Sequence, residues 1–281
     1  DPAREISQAA TASGIETHTA FFTSELGAQL KKERGGATIV TANNVYSHAD
    51  DLGDLTDGIR NLLAPDGVFV FEVIYMIDMI EKPLFDTIYH EHLCYHTVKP
   101  LNSFLERHGL QLVDIQRVPI KGGSIRGTVQ LIGGPRDVSP SVGEIIALED
   151  KFGVEDPETY KKYSDYIEKV KTDLMDVVNE ARSKGKTVAG YGASSTTTVL
   201  MHHYGLGDIL EFLADDNPRK QHLYSPGHHI PVLPSEVIYE RKPDYIVVLA
   251  WNYAEPIMAK HQKYLDEGGH FIIPLPEVKI I

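Results

Sequence analysis

Apolar positions along the chain switch repeatedly between a helical and an extended period. Residues 4–12 have helix-like spacing, 15–22 read as extended, 24–34 as helical, and an apolar run follows at 37–45. Helical spacing returns at 51–63 and an extended run at 67–74, so strands and helices alternate across short Gly, Pro and Asp turns. That rhythm predicts parallel α/β architecture. At the start, Asp1-Pro2 predicts a helix entry with Asp1 as cap and the proline at the first helical position. The rhythm breaks over 76–96, an irregular stretch dense in His, Tyr and Glu. Two strand-like runs, 111–119 and 124–132, meet at Lys121-Gly122-Gly123 and predict an antiparallel pair at a sheet edge.

Gly133-Gly134-Pro135 closes this first part, and 139–184 is polar with a helical period, as expected of one or two long connecting helices. A second strand–turn–helix signal then begins. The strand 186–191 feeds Gly190-Tyr191-Gly192-Ala193-Ser194-Ser195, a helix-like stretch covers 196–204, and a strand at 209–214 ends in Asp215-Asp216-Asn217. Further strands at 244–251 and 270–273 complete a second Rossmann-like unit. The expected organisation is a Rossmann-like domain over 1–136, a helical connector over 137–184 and a second Rossmann-like domain over 185–281.

Composition narrows the function classes. The 281 residues hold 27 Lys+Arg against 40 Asp+Glu, a formal charge of −13. That balance argues against a nucleic-acid partner, which needs cations to neutralise a phosphate backbone. With 42% hydrophobic and 24% charged residues, the chain has an ordinary globular make-up and room for two cores. Cys94 is the single cysteine, so neither an internal disulfide framework nor a cysteine-rich zinc site is expected from these residues, and a cytoplasmic setting is the default. The longest strongly apolar run, 245–251, is far short of the ~20 residues of a spanning helix, which predicts a soluble protein with no membrane partner.

Candidate chemistry concentrates in Tyr89-His90-Glu91-His92-Leu93-Cys94-Tyr95-His96. His90-Glu91 begins a zincin-like H-E-x-x-H, but Cys94 occupies the fifth position, so the helical ligand pair fails and no metal is expected. Two readings remain: histidines that cap and hydrogen-bond a buried loop, or acid–base chemistry, in which an imidazole titrates near working pH beside Glu91. His48 follows a strand's C-terminal end, where open parallel sheets form ligand crevices, and a capping role competes with a catalytic one there. In the second unit Gly190-x-Gly192 followed by Asp215 and Asp216 also suits a nicotinamide-binding unit. Arg219 and Lys220 read as solvated charges or phosphate partners, and Trp251-Asn252 as a ligand-facing loop or a core tryptophan. His202-His203 and His228-His229 read as surface or loop histidines.

Four elements taken together carry a family resemblance: Tyr89-His90-Glu91-His92-Leu93-Cys94-Tyr95, Asn43-Asn44-Val45 with His48, Gly122-Gly123-Ser124-Ile125-Arg126, and Gly190-Tyr191-Gly192-Ala193-Ser194. Over essentially the whole chain these resemble the S-adenosylmethionine-dependent C-methyltransferases of deoxysugar-nucleotide pathways, the sugar C-3-methyltransferases. The resemblance implies a central methyltransferase domain of class I type and a C-terminal Rossmann-like domain that holds a nucleotide sugar. It further implies a zinc-binding N-terminal domain outside these residues. The implied reaction removes the proton beside a 4-keto group and delivers the resulting enolate to the cofactor's methyl.

By the same resemblance His92 is the base, and His48, Tyr89 and Glu91 are its active-site companions. Asp1, Asn43 and Asn44 are cofactor residues, Asp1 matching the acid that grips ribose hydroxyls. Ser124, Arg126, Tyr191, Gly192, Ser194, Asp215, Asn217, Trp251 and Asn252 are substrate residues. Two departures stand out. No Gly-rich first strand precedes Asp1, so the chain is expected to be truncated at its N-terminus or to receive that strand from elsewhere in the molecule, with weak cofactor binding as it stands. Thr196-Thr197-Thr198 replaces the Lys-Gly-Asn of many relatives, leaving backbone amides and hydroxyls at that helix start to hold a pyrophosphate. A non-catalytic nucleotide-sugar binder and an NAD-dependent oxidoreductase are the alternatives.

Overall fold

The sequence periods resolve into two α/β units in the computed structural model, which describes residues 1–281. Asp1–Ile77 with Leu93–Val154 form the first unit, and Asp78–His92 with Glu155–Ile281 form the second. The later division falls between Val154 and Glu155, and the His-rich stretch is split, with residues up to His92 in the second unit and those from Leu93 in the first.

The first unit runs through α1 (Arg4–Ala12), α2 (Ser24–Arg34), β1 (Ala37–Asn43), α3 (Leu52–Leu62) and β2 (Leu63–Ile74). After the short α4 (Met76–Glu81) come α5 (Val98–Arg107), β3 (Leu110–Val118), β4 (Ser124–Leu131) and α6 (Pro140–Phe152). Phe69, Phe71 and Val73 recur at every second position of β2 and are all buried, the mark of a strand with one face in a core. The sheet order is β1-β2-β4-β3, with β1 parallel to β2 and the other two pairings antiparallel. The antiparallel pair expected from the Gly-Gly turn is therefore present, with β3 at the edge and β4 inside.

Helix starts follow the capping residues. Thr23 accepts from Leu26 N–H at the head of α2, and Asp51 accepts from Asp54 N–H at the head of α3. Those two helices touch backbone to backbone: a Cβ on Gly27 would lie 2.2 Å from the carbonyl oxygen of Gly58. Two expectations are corrected. Residues 15–22 form no strand, and Ile15 and Phe21 stay exposed because no neighbouring strand takes up their backbone groups. The cap of α1 is Ala3, while Asp1 Oδ1 accepts from Ala3 N–H at 2.8 Å and Pro2 lies outside the helix.

Helix α5 had no counterpart in the sequence reading. Its first turn has N–H groups without intrahelical partners. The buried carboxylate of Glu149 on α6 accepts from Val98 N–H at 2.6 Å and Lys99 N–H at 2.9 Å, and the next residue, Pro100, has no N–H to satisfy. Tyr75 O–H donates to the same carboxylate at 3.0 Å. A helix start that looks uncapped in sequence is thus capped by a residue 51 positions away.

The second unit comprises α7 (Pro157–Ser183), β5 (Val188–Tyr191), α8 (Ser195–Tyr204), β6 (Leu213–Ala214), β7 (Val232–Leu233), α9 (Val237–Arg241), β8 (Tyr245–Val248), α10 (Ala254–Lys260), α11 (Gln262–Asp266), β9 (His270–Ile273) and β10 (Lys279–Ile280). Its sheet order is β10-β9-β8-β5-β6-β7, parallel except for the terminal β10. This is the Rossmann-like arrangement expected, with a core on each face: Val247, Ile272 and Val188 belong to one, Ile246, Val248 and Phe271 to the other. The strand predicted at 209–214 is only the two-residue β6, because Ile209 and Leu210 close the turn after α8 onto Leu206. No helix is long and apolar enough to cross a membrane.

Candidate active site

In the His-rich segment, chain geometry decides the state of one ring. Phe85–Thr87 form a single 3-10 turn, and the chain then reverses so that His92 N–H donates to Tyr89 O at 2.9 Å. Nδ1 of His92 comes to 2.6 Å from the carbonyl oxygen of Thr87, which also accepts from Tyr89 N–H at 3.2 Å. A carbonyl can only accept, so Nδ1 carries the proton and Nε2 is the basic nitrogen of the neutral imidazole. The Tyr89 ring lies 4.3 Å from the His92 ring, centroid to centroid. Burial, with the charges of Glu91 and Asp86, pushes the Tyr89 phenol above its usual range and keeps it a hydrogen-bond donor. His90 and Glu91 are exposed.

The first unit holds the other predicted positions around the C-terminal end of β1. Asn43 ends the strand. Asn44 turns the backbone at φ 54°, with its N–H held by Glu72 O at 2.8 Å, and His48 closes the 3-10 turn Tyr46–His48 that follows. Asn43 and His48 are exposed, whereas Tyr46 is buried in the core with its hydroxyl on Thr56. Arg126 stands opposite Glu72 across the β2–β4 pairing, its Nη2 2.7 Å from Glu72 Oε2. Ser124 is fully buried and donates to Ile120 O at 3.0 Å. Nearby, Cys94 Sγ lies 3.4 Å from His96 Nε2; burial pushes the thiol up and the imidazole down to about 4, so both are neutral near pH 7. Asp1 is exposed at the chain's start.

In the second unit the Asp215 carboxylate links the turn that carries Tyr191, Gly192 and Ser194 to the turn that carries Asn217. Asp215 Oδ2 accepts from Ala193 N–H at 2.7 Å and Oδ1 from Asn217 N–H at 2.8 Å, tying the turn after β5 to the turn after β6. Gly192 has φ 104°, and a Cβ there would sit 2.8 Å from the Ala250 Cβ, so both the conformation and the packing require glycine. Ser194 caps α8, its Oγ accepting from Thr197 N–H. Tyr191 O–H donates to Asp216 Oδ2 at 2.9 Å and contacts His261 Nε2 at 3.1 Å.

Beside this turn lies a cavity of about 420 Å³. The N-terminal turn of α8 supplies Ser194, Ser195, Thr197 and Thr198, and Lys220 closes the other side, its Nζ 3.7 Å from Asp215 Oδ2. That volume falls within the range of small-molecule sites, and the donors converge where a helix N-terminus favours anions. Trp251 is placed differently: its Nε1–H donates to Asp86 Oδ2 at 2.9 Å, while Asn252 is exposed. Asp86 went unnoticed in sequence, since its partner is 165 positions away; a lone acid between Phe85 and Thr87 was its only local signal. Nowhere do three His, Cys, Asp or Glu side chains gather as metal ligands would.

Comparison with known proteins places this pair of α/β units in the S-adenosylmethionine-dependent C-methyltransferase class. Residues 119–276 match the family of C-methyltransferase C-terminal domains, residues 1–115 match a methyltransferase domain family, and the chain belongs to the C-methyltransferases. The C-methyltransferase NovU of Streptomyces niveus is 36% identical over 282 residues, an alignment covering 100% of this chain and 67% of that protein. Among solved structures, the crystal structure of M1.HpyAVI aligns at 12% identity and TM-score 0.26, covering 41% of this chain and 55% of that one. An O-methyltransferase family protein from Burkholderia thailandensis aligns at 16% identity and TM-score 0.32, covering 46% of this chain and 40% of that one. Family membership replaces the oxidoreductase reading that Gly190-x-Gly192 had left open.

Proposed function

We propose that the chain methylates the carbon beside the keto group of a nucleotide-linked 4-keto-deoxysugar through an enolate, with His92 as the base. The observation that carries this reading is the 2.6 Å hydrogen bond from His92 Nδ1–H to Thr87 O, which leaves Nε2 as the nitrogen that accepts a proton. Nε2 takes the proton from the carbon beside the ketone, and the electron pair moves onto the keto oxygen. The Thr87 carbonyl stabilises the imidazolium so formed, since it accepts a hydrogen bond from either state of the ring. Tyr89, protonated at working pH, donates to a substrate oxygen, with His48 and Glu91 as further substrate contacts.

The exposed Asn43 and the left-handed turn at Asn44, at the C-terminal end of a parallel strand, fit one wall of an S-adenosylmethionine site and are the residues that would hold the cofactor. When bound, S-adenosylmethionine supplies an electrophilic methyl on sulfur. The cavity at α8 takes the diphosphate, its oxygens meeting Lys220 and the first amides of the helix, and Met201, Leu213 and Val232 add apolar lining.

Base function is tested without methyl transfer by exchange of the substrate's α-proton in D2O, followed by NMR with S-adenosylhomocysteine present. His92→Ala is expected to slow exchange by ~10²- to 10⁴-fold with nucleotide-sugar affinity nearly unchanged. Exchange at the wild-type rate places the base elsewhere, and lost affinity without slower exchange makes His92 a binding residue.

A further inference from the structure

Asp86 is 1% exposed, and its two carboxylate oxygens fare differently. Oδ2 accepts from Trp251 Nε1–H at 2.9 Å, while Oδ1, also buried, has no hydrogen-bond partner. Close to it the Tyr204 hydroxyl is buried without a partner too. A side chain chosen for packing alone has no reason to be a half-satisfied acid, because an apolar or amide residue of similar size removes the cost. Groups that break this rule gather where a site needs them. Asp86 lies in the 3-10 turn whose last residue, Thr87, presents its carbonyl to His92. It is thus one residue from the atom that fixes the state of that ring. Trp251 lies on the single turn following β8, so the hydrogen bond ties the His-rich segment to a strand end of the second sheet.

We propose that Asp86 is a positioning residue for proton abstraction, its ionised carboxylate hooking Trp251 and thereby fixing the Thr87 carbonyl against His92. The proposal rests on the reading of His92 as base. The titratable groups around the hook are Tyr89 and His92 on its own segment, His203 and Tyr204 on α8, and Tyr163 and Tyr166 on α7. Lys171 of α7 acts on His203, whose imidazole is pushed down mainly by burial. Burial raises the Asp86 carboxyl to about 6, although the Trp251 hydrogen bond and, more weakly, the backbone N–H groups of Asp86 and Thr87 work the other way. The hook is therefore a charged acceptor above that pH and a neutral acid below it.

Trp251 is the single tryptophan of the 281 residues, so its emission reads the state of Asp86 directly. The expected result is an emission transition centred near pH 6, absent from Asp86→Asn. That variant keeps an acceptor for the indole but no charge, and is expected to fold with a Tm at pH 8 at or above wild type, to keep KM within twofold, and to lose about fivefold in kcat and in α-proton exchange. Trp251→Phe is expected to lower kcat and exchange by at least as much. A purely structural Asp86 would move Tm without moving the kcat-to-KM split. Wild-type kcat in Asp86→Asn at every pH, or an emission transition that survives the substitution, overturns the proposal. Failure of the base assignment is separable: His92→Ala exchanging at the wild-type rate overturns that assignment and with it the catalytic role of Asp86, while an emission transition removed by Asp86→Asn still reports the Asp86–Trp251 contact. If His92→Ala abolishes exchange and Asp86→Asn leaves it untouched, the base stands and the hook falls.

Discussion

Glu149 in the first unit and Asp86 in the second are equally buried, at 0% and 1% exposure, and differ in everything that burial should demand of an acid. Glu149 receives three hydrogen bonds, from Tyr75 O–H and from two N–H groups at the start of α5. Asp86 receives one side-chain hydrogen bond and leaves an oxygen bare. The first arrangement is what stability selects, since a carboxylate at a helix N-terminus meets unpaired donors and the favourable end of the helix dipole. The second spends stability at a turn next to the candidate base. Satisfaction of hydrogen bonds, more than burial, tells these two acids of the same chain apart.

The largest expected effect is at Glu149. Glu149→Ala strands two amides and a tyrosine hydroxyl inside the first unit and removes the cap of α5, a loss of about 3 kcal/mol by the usual cost of unpaired buried donors. Denaturant unfolding is expected to show this as a lower midpoint at every pH from 6 to 8. A change below about 0.5 kcal/mol would mean that water replaces the carboxylate, and the contrast between the two acids would shrink to geometry alone.

Asp86→Asn is expected to act in the opposite direction and to depend on pH. Burial raises the folded carboxyl from the ordinary aspartate range near 4 to about 6, so between those values the folded state binds more protons than the unfolded one. Wild-type stability therefore falls as pH rises through that window and stays low above it, whereas an asparagine there does not titrate. The stability gain of the variant is expected to be small at pH 4, to grow to the order of 2 kcal/mol, and to level off above pH 7. Thermal unfolding at a series of pH values measures it, and a gain independent of pH would assign the effect to packing.

How much of this was legible follows sequence separation. The strands and helices whose apolar period is local, such as α2, β2 and the Gly190-x-Gly192 turn into α8, were read close to their observed limits. The Tyr89–His96 stretch stands out by its density, which leaves loop capping and acid–base chemistry both open, and Asp215 stands out because it follows a strand. Helix α5 went unread although Val98, Leu101 and Leu105 are buried along it, because the residue that caps it, Glu149, lies 51 positions away. Asp86 and Trp251 went unpaired for the same reason: no local pattern announces a hydrogen bond spanning 165 positions. Residues 15–22 misled in the other direction, since alternation shows a capacity to pair and pairing needs a neighbouring strand.

Asp215 falls between the two extremes and provides the smallest test. It is buried like the other acids, both of its oxygens are taken by backbone amides, and the Lys220 ammonium lies 3.7 Å away at the rim of the α8 cavity. Because the amides already satisfy the carboxylate, Lys220 is not needed to stabilise it, and a partly exposed ion pair of that length contributes little to folding. Lys220→Ala is accordingly expected to change unfolding free energy by less than about 0.5 kcal/mol. If the cavity takes a diphosphate, the same substitution removes a charge-assisted contact and weakens nucleotide-sugar binding by roughly tenfold, near 1.4 kcal/mol, with a shallower salt dependence. Isothermal titration at two ionic strengths separates the outcomes. Unchanged affinity with unchanged stability would remove the phosphates from α8, and a large loss of stability would make Lys220 part of the framework that Glu149 exemplifies.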